Sequence, residues 1–323
     1  MRKLLEMINI IIRKIVRRGL NACLVVFGRF INDKTYYRIQ YYAVLGHFPN
    51  IDNPVLYTEK LQWLKLYDHN PIYTKIVDKY EVKNLIAKTI GDKYIIPTLG
   101  VWNSPEDIDF DSLPNQFVLK TTFGGGGDGI VICRDKSKLN FDETIKKLKT
   151  SFNTDPYVRA REWPYKNVPR RIIAEQYMED DSGELRDYKF YCFNGVPKVM
   201  LVASNRFTNH NFNYYDMDLN ILPITSAMGS RSDIKMKRTE VFEEMKEVAK
   251  KLSKNFAHVR VDLYNSGGKV LFGELTLYDS SGFDDFNSEE WNRRFGDWIT
   301  LPDKRQTGGC VQPSINTIEK KLS

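Results

Sequence analysis

HVRVDLYNSGGKVLFGELTL, residues 258–277, is the stretch of sequence that decides the fold. Apolar residues alternate with polar ones on both sides of Asn265-Ser266-Gly267-Gly268, which predicts two antiparallel strands joined by a turn. If the apolar residues face the core, four polar residues share the other face, provided that the loop has an odd number of residues. They are Arg260, Asp262, Glu274 and Thr276.

We expect Leu263 to pair with Leu271, which places Arg260 opposite Glu274 and Asp262 beside both. Two carboxylates and a guanidinium on one face suit a magnesium–nucleotide site, because oxygen ligands hold the ion and arginine binds a phosphoryl oxygen. The alternative is an exposed strand face with a cross-strand ion pair.

Upstream, Phe117-Val118-Leu119-Lys120 precedes a glycine cluster at 121–129, TTFGGGGDG, and Ile130-Val131-Ile132 follows it. This order predicts two strands joined by a loop whose amides can turn towards an anion, with the Lys120 ammonium at its root. The spacing is neither that of a Walker A loop nor that of a Rossmann turn. One interpretation of the glycine cluster is that it contacts phosphate, and the other is that it is a flexible hairpin tip without a ligand.

Three weaker patterns lie between these two regions. Ile173 to Met178 predicts a β segment that leads into acidic residues and glycine. In the strand predicted at 185–194, Asp187 and Lys189 share a face that could serve ribose and phosphate, although any half-exposed strand alternates in this way. Arg206 and His210 lie in a polar loop and are candidate acceptor contacts or ordinary solvated residues.

The remaining segments predict an α+β protein rather than a doubly wound sheet, because the strands and helices follow no regular βαβ repeat. Residues 36–101 are predicted mostly helical, with one helix after Asn53-Pro54 and another running from Asn70-Pro71 past Asp78, Lys79 and Lys83 towards Gly91. Further predicted elements are a helix at 141–152 capped by Asn140 or Asp142, a β run at 172–174, strands at 185–194 and 196–203, and a helix at about 239–254.

The net charge of +7 belongs to the ends of the chain. Residues 1–20 carry six basic residues and one acidic residue, residues 303–323 carry a net +2, and 21–302 is neutral. A groove that binds a nucleic-acid backbone needs an excess of basic residues, and residues 21–302 have none. We therefore expect no nucleic-acid partner.

Residues 1–20 form a predicted basic amphipathic helix. Such a helix can lie at an anionic membrane surface or pack on the body, and both interpretations stay open. A transmembrane span is disfavoured, because no uncharged run approaches the roughly 18–20 residues required. A cleaved signal peptide is unexpected since Glu6 interrupts the apolar region. Four scattered cysteines indicate no zinc site and no disulfide framework, and favour a reducing cytoplasm.

These residues, in this order, resemble the ATP-grasp superfamily and within it the TupA-like ATP-grasp family of bacterial surface-polysaccharide biosynthesis. The closer similarity rests on Tyr57-Thr58-Glu59-Lys60-Leu61-Gln62-Trp63-Leu64, on Asp187-Tyr188-Lys189-Phe190 with Phe193-Asn194-Gly195, and on Gly273-Glu274-Leu275-Thr276. It runs from about Tyr41 to Pro302 and implies two α+β lobes that grip ATP.

The resemblance assigns roles by position. Lys120, Lys83 and Lys189 become nucleotide-binding, and Asp187 lies near the ribose. The catalytic residues are Arg260, which stabilises the transferring γ-phosphoryl group, and Lys120, which offsets charge on the phosphoryl oxygens. The loop over the phosphates comprises Gly124, Gly125, Gly126, Gly127 and Gly129. The adenine-binding hinge comprises Glu175, Gln176, Tyr177 and Met178. Asp262 and Glu274 hold Mg²⁺, and Thr276 stands where many relatives have a second-metal asparagine, which leaves one ion or two open.

We expect five segments along the chain, of which the first and the last lie outside the resemblance. They are a basic amphipathic helix at 1–30, a mostly helical lobe at 31–115, an ATP-grasp lobe with the glycine-rich loop at 116–180, an ATP-grasp lobe with the metal-site hairpin at 181–302, and a polar basic tail at 303–323.

The implied chemistry is activation of a carboxylate as an acyl phosphate and its attack by an amine. The expected partners are a surface glycan or lipid-linked precursor bearing a uronic acid, an amino compound, and a membrane surface for residues 1–20. We expect a cytoplasmic protein, peripheral on the inner face of the plasma membrane. Phosphoryl transfer to a sugar hydroxyl, a glycosyltransferase in the same pathway and a non-catalytic membrane scaffold are the alternatives.

Overall fold

The computed structural model describes residues 2–125, 127, 129–204, 211–225 and 235–303, and within 2–14 it describes the backbone only. In the described chain, two antiparallel sheets are surrounded by helices. This arrangement confirms the α+β prediction, because every strand pairing in both sheets is antiparallel.

The chain begins with helices and short turns. The helices are α1 (Arg2–Phe27), α2 (Asp33–Leu45), α3 (Tyr57–Tyr67), α4 (Ile72–Val77) and α5 (Glu81–Ile90). The single helix predicted after Asn70-Pro71 is wrong, since α4 and α5 are separate. Asp78 causes the break, because its carboxylate accepts the amides of Tyr80 at 2.9 Å and Glu81 at 3.3 Å and so caps α5.

The first sheet has four strands in the order β1-β4-β2-β3. They are β1 (Thr98–Trp102), β2 (Phe117–Thr121), β3 (Ile130–Cys133) and β4 (Ile172–Gln176). The two strands predicted around the glycine cluster are confirmed, with Lys120 paired to Ile130. Within the segment predicted mostly helical, β1 is a strand because it pairs with β4 at this sheet's edge.

Two helices connect β3 to β4, namely α6 (Phe141–Phe152) and α7 (Pro156–Ala160). The predicted cap of α6 is Asn140, whose side chain accepts the amide of Glu143 at 3.1 Å. Leu148 of α6 is fully buried in a small core with Phe117 and Leu119 of β2. Burial of this apolar face stabilises α6 on the sheet.

The second sheet has five strands in the order β7-β6-β5-β8-β9. They are β5 (Asp187–Phe193), β6 (Val196–Ser204), β7 (Asn211–Asp216), β8 (His258–Ser266) and β9 (Lys269–Thr276). The helices are α8 (Glu240–Ser253), which packs on β5, β6 and β8, and α9 (Glu289–Trp298), which packs against α3.

The β8–β9 register differs from the predicted one. Leu263 pairs with Phe272, and Asp262 pairs with Glu274, so Gly273 is an extra residue on β9. The turn has two residues, because Ser266 pairs with Lys269 and both intervening glycines have positive φ. A two-residue turn alone would set the polar residues of β8 and β9 on opposite faces, and the bulge at Gly273 restores the common face.

Gly273 is required at this bulge by close packing. A Cβ there would lie 2.8 Å from Cε2 of Tyr264 and 3.0 Å from the carbonyl oxygen of Asp262. The bulge therefore depends on the missing side chain. The predicted pairing of Leu263 with Leu271 is wrong because the turn has two residues instead of an odd number, which sets Leu263 opposite Phe272.

An aromatic core joins the early helices to the second sheet. Tyr57 of α3 is fully buried and contacts the rings of Phe193, His258, Phe286 and Phe295. The Tyr57 hydroxyl lies 3.0 Å from Nε2 of His258, and burial lowers the pKa of that imidazole to about 4. A neutral histidine can therefore bridge α3 and β8 inside this core. The five-segment division of the chain remains a prediction.

Candidate active site

Five polar side chains on adjacent strands of the second sheet form a cluster that we call the hairpin cluster. They are Lys189, Arg260, Asp262, Glu274 and Thr276. Asp262 pairs in register with Lys189 on one side and with Glu274 on the other, and Arg260 pairs with Thr276. Because directly paired residues project to the same face of a sheet, the predicted common face is confirmed, although Arg260 is opposite Thr276 rather than Glu274.

Asp262 lies at the centre of the hairpin cluster. Its Oδ1 accepts Nε of Arg260 at 2.7 Å, and its Oδ2 accepts Nη2 of Arg260 at 2.8 Å and Nζ of Lys189 at 2.5 Å. Burial alone raises the pKa of Asp262, but the charges of Arg260 and Lys189 outweigh burial and hold that pKa below its ordinary value. The carboxylate is therefore ionised at neutral pH.

Arg260 also contacts a residue outside the hairpin. Its Nη1 is ion-paired with Asp279, whose other oxygen accepts the Tyr191 hydroxyl at 2.7 Å. Burial lowers the pKa of the guanidinium, whereas Asp262 and Asp279 raise it well above the ordinary value. Two carboxylates thus fix both edges of the guanidinium plane.

Thr276 connects Arg260 to Glu274. Its hydroxyl accepts Nη2 of Arg260 at 3.1 Å and donates to Oε1 of Glu274 at 2.8 Å. In the described structure the Thr276 hydroxyl is thus engaged with side chains of the hairpin cluster. Its role as a metal ligand stays a prediction.

A second cluster, which we call the lysine pair, consists of Lys83 and Lys120 with Glu175 between them. Nζ of Lys83 lies 2.6 Å from Oε1 of Glu175, and Lys120 is ion-paired with Oε2. Burial raises the pKa of Glu175, but the charges of Lys120 and Lys83 outweigh it, so the pKa falls. Burial also lowers the pKa of Lys83, with partial opposition from Glu175. The structure therefore joins three predicted nucleotide-binding residues from α5, β2 and β4.

Lys79 connects the glycine loop to the hairpin cluster. Its Nζ donates to the carbonyl of Gly124 at 2.6 Å and lies 3.6 Å from Oε2 of Glu274. Its backbone amide donates to the carbonyl of Thr122 at 2.8 Å, which fixes the residue to the root of the loop. The break between α4 and α5 makes this contact available, because Lys79 lies outside both helices.

The other predicted residues take different places. Gln176 ends β4 and is exposed, the Tyr177 hydroxyl donates to Glu179 at 3.0 Å, and Met178 is half-buried beyond the strand. Asp187 is buried, 3.7 Å from Nζ of Lys189. Their nucleotide-binding roles stay predictions. Gly126, Arg206 and His210 lie outside the described residues; Gly125 and Gly127 are exposed loop residues, and Gly129 is buried.

Sequence reasoning missed the roles of Lys79 and Asp279. Lys79 was placed inside a helix, where its side chain had no reason to meet the glycine loop. An Asp78 that can cap a new helix two residues later is the local signal for the break. Asp279 lies just beyond the hairpin, where no strand alternation applies.

Comparison with known proteins identifies the family. The sequence model of the TupA-like ATP-grasp family matches residues 59–300. The chain belongs to this family. As a TupA-like ATP-grasp protein it has the ATP-grasp fold and is an ATP-grasp ligase that uses ATP. The match spans the lysine pair, the glycine loop and the hairpin cluster.

Solved structures similar to this ATP-grasp chain include several ligases. A D-alanine–D-alanine ligase from Bacillus anthracis has 17% identity and a TM-score of 0.42, covering 76% of this chain and 69% of that one. The D-alanine–D-alanine ligase from Helicobacter pylori has 16% identity and a TM-score of 0.40, covering 71% and 60%. The D-alanyl-alanine synthetase A from Vibrio cholerae has 12% identity and a TM-score of 0.43, covering 74% and 70%. No curated protein matches the chain.

Proposed function

We propose that this protein uses Mg·ATP to join the carboxylate of a uronic acid to an amine through an acyl phosphate. The carboxylate would belong to a capsular or other surface polysaccharide or to its lipid-linked precursor. The observation that carries the proposal is the Arg260–Asp262–Glu274 arrangement, joined through Lys79 to the glycine loop. It brings a guanidinium, two carboxylates and a phosphate-binding type of loop to one place.

The cations of the site suit a polyphosphate. The ammonium groups of Lys79, Lys83 and Lys120 already bind carboxylate or carbonyl oxygens, which are replaceable by phosphate oxygens. Arg260 is fixed from both sides, so little reorganisation is needed when charge develops on a transferring phosphoryl group. These residues would position the γ-phosphoryl group for attack by a carboxylate oxygen.

The hairpin cluster also fits Mg²⁺. Asp262 and Glu274 pair directly across two strands and supply hard oxygen ligands. No group of three or more histidine, cysteine or acidic residues suited to a metal occurs in the described part of the chain. This donor set fits an ion held by one or two carboxylates plus substrate phosphates, which is how Mg²⁺ usually binds. When bound, the ion would neutralise charge on the phosphate oxygens.

The glycan substrate is supported by the family together with the surface of α1. The C-terminal half of α1 packs on α2, with Leu24 buried and Nε of Arg17 donating to the carbonyl of Ala43 at 2.9 Å. An apolar patch nevertheless stays exposed. It consists of Ile15, Val16, Val25, Val26, Phe27 and Phe30.

We propose that this patch lies in an anionic membrane interface, where lipid-linked glycans reside. The exposed Phe27 and Phe30 are 58% and 73% accessible, and the guanidinium of Arg29 lies 4.7 Å from the Phe30 ring centre. Aromatic rings beside arginines suit the boundary between headgroups and acyl chains. In the described residues, none of the helices combines the length and the apolarity that a membrane crossing needs.

Trapping with hydroxylamine tests the proposed reaction. The full chain is incubated with Mg·ATP, galacturonic acid and hydroxylamine, and the expected products are ADP and the hydroxamate. A stable phosphorylated sugar without hydroxamate would show the kinase alternative instead. Calorimetric binding of a nucleotide sugar without binding of Mg·ATP would show the glycosyltransferase alternative. The Asp262→Asn variant is the matched negative control for the native protein.

A further inference from the structure

The turn after β9 is held in an unusual backbone conformation. Ser280 and Ser281 are consecutive non-glycine residues in the left-handed region, with φ values of 48° and 56°. Asp279 at its start is ion-paired with Arg260, and the carbonyl of Ser281 accepts Nζ of Lys65 at 2.9 Å. The surrounding contacts therefore fix this turn beside the hairpin cluster, as is common where a backbone serves a site.

Glu162, the residue that follows α7 and Arg161, faces this turn. Its Oε1 accepts the Ser281 hydroxyl at 2.6 Å. Its Oε2 receives no hydrogen bond from any residue that the structure describes, and the side chain is half-buried rather than enclosed. One carboxylate oxygen is thus held in place, and the other is open to a ligand.

The groups facing Glu162 come from three elements. Lys65 belongs to α3, Glu274 to β9, and Asp279 and Ser281 to the turn. Burial raises the pKa of Glu162, and the charges of Glu274 and Asp279 raise it further. The charge of Lys65 and the hydrogen bond from Ser281 lower it. The net effect is a pKa above the ordinary value. A carboxylate with a raised pKa is a better proton acceptor at neutral pH than an ordinary one.

A second polar group beside the same turn is unpaired. Tyr278, the residue before Asp279, is 4% exposed, and its hydroxyl has no hydrogen-bond partner in the described part of the chain. A buried hydroxyl normally has a partner, so the packing next to this turn is not satisfied by the described side chains alone.

We propose that Glu162 binds the ammonium group of the amine substrate and takes a proton from it before the attack on the acyl phosphate. The assignment rests on the proposed function and names the residue that activates its second substrate. The substrate class is a primary amine, which is protonated at neutral pH and cannot attack until it loses a proton.

The step balances as follows. One N–H bond of the ammonium breaks, and its proton goes to a carboxylate oxygen of Glu162. The nitrogen lone pair attacks the carbonyl carbon, a C–N bond forms, and the C–O bond to phosphate breaks with its electron pair going to phosphate. A second N–H proton passes to the departing phosphate. Amide and inorganic phosphate result, and Glu162 returns its proton to solvent.

Hydroxylamine and ethylammonium separate this role from the chemistry of ATP. Hydroxylamine is largely uncharged at pH 7 and needs no base, whereas ethylammonium does. With Mg·ATP and galacturonic acid, the Glu162→Gln variant is expected to form hydroxamate within about threefold of the native rate. Its amide formation with ethylamine should fall about 10²–10⁴-fold, the usual effect of removing a general base.

Competition provides a second readout that needs no amide product. Ethylammonium chloride should inhibit hydroxamate formation by the native protein and inhibit Glu162→Gln at least tenfold less. Glu162→Asp should restore part of both effects, and the exposed Glu247→Gln on α8 is the matched control. The amide oxygen of glutamine can still accept the Ser281 hydroxyl, so the fold should persist, which circular dichroism checks.

Three outcomes would overturn the proposal. Equal competition and equal amide formation in Glu162→Gln and native protein would remove Glu162 from the reaction. Equal loss of hydroxamate and amide in the folded variant would make Glu162 a structural residue only. If the native protein itself forms no hydroxamate, the proposed function fails, and the role of Glu162 fails with it.

Discussion

The guanidinium of Arg260 donates two hydrogen bonds to the carboxylate of Asp262, which lies two residues further along the same strand. The Nε–Oδ1 and Nη2–Oδ2 distances are 2.7 and 2.8 Å. Residues i and i+2 share a face of a strand, so this two-point pair needs no chain reversal. The remaining amino group of Arg260 binds Asp279, which leaves the guanidinium plane fixed before any substrate arrives. A fixed plane is what recognition of a phosphoryl group requires.

Arg260→Lys tests this geometry. Lysine keeps the positive charge but lacks the planar guanidinium with its several N–H donors, so it cannot bind the carboxylates of Asp262 and Asp279 in the same way. We expect hydroxamate formation to fall about 10²–10³-fold, as when one preorganised donor is removed, with Mg·ATP binding retained. Arg238→Lys, at an exposed pair with Asp218, should leave the rate within twofold. An unchanged rate in Arg260→Lys would show that the planar guanidinium is not needed for the reaction.

Glu175→Gln should destabilise the protein at pH 7 by about 3 kcal/mol, because it removes the buried partner of the half-buried ammonium groups of Lys83 and Lys120. The pKa of Glu175 is lowered in the folded protein, so its stabilising contribution is present above the unfolded pKa of about 4.3 and is lost as pH falls through the folded value. Urea unfolding of native and variant protein from pH 7 down to about pH 2 measures the difference, which should shrink only below the unfolded pKa of about 4.3. A constant difference would contradict the assignment.

Lys65→Met tests a buried ammonium group. Burial lowers the pKa of Lys65 to about 7, against an unfolded value of about 10.4. The unfolded chain binds more protons between these values, so native stability should rise with pH across this window, and the rise should disappear in the variant. Urea unfolding at pH 7, 8 and 9 checks this. The exposed Lys88→Met on α5 should keep the native pH dependence.

Gly273→Ala tests the bulge that aligns the hairpin cluster. The added Cβ would meet Tyr264 and the backbone of Asp262, so we expect a loss of about 1–3 kcal/mol in unfolding free energy and a lower rate of hydroxamate formation. Gly19→Ala is the matched control, because a Cβ in α1 meets no atom within 4 Å and alanine favours helix by about 1 kcal/mol. Retention of native stability and rate by Gly273→Ala would show that the bulge tolerates a side chain.

The double variant Phe27→Asp/Phe30→Asp tests membrane contact. Native protein should float with anionic liposomes, less so at high salt, and the variant should lose most of this binding because two exposed rings are replaced by charges. Deletion of residues 1–20 asks whether the basic helix is also required. Val196→Asp, at an exposed residue of β6, is the control. Equal flotation of native and Phe27/Phe30 protein would remove the patch from the interface.

Much of the site follows from local pattern. Alternation in 258–277 placed Arg260, Asp262, Glu274 and Thr276 on one face, and the glycine run after Lys120 predicted a loop between two strands; both are confirmed. These predictions succeeded because strand alternation and glycine conformation are properties of short segments. The register was beyond such reasoning, since the bulge at Gly273 depends on packing against Tyr264.

The sequence by itself determined the α+β class, the family and the common face of Arg260, Asp262, Glu274 and Thr276, because those depend on residue type and spacing along the chain. The pairing of β5 with β8 added Lys189 to the hairpin cluster. Only the tertiary structure placed Lys79 between Gly124 and Glu274, Asp279 on Arg260, and Glu162 beside Ser281. Glu162 and Ser281 are far apart in sequence, and no local periodicity relates them. Their contact exists because the packing of α3, the turn after β9 and the segment after α7 brings the two half-buried side chains together.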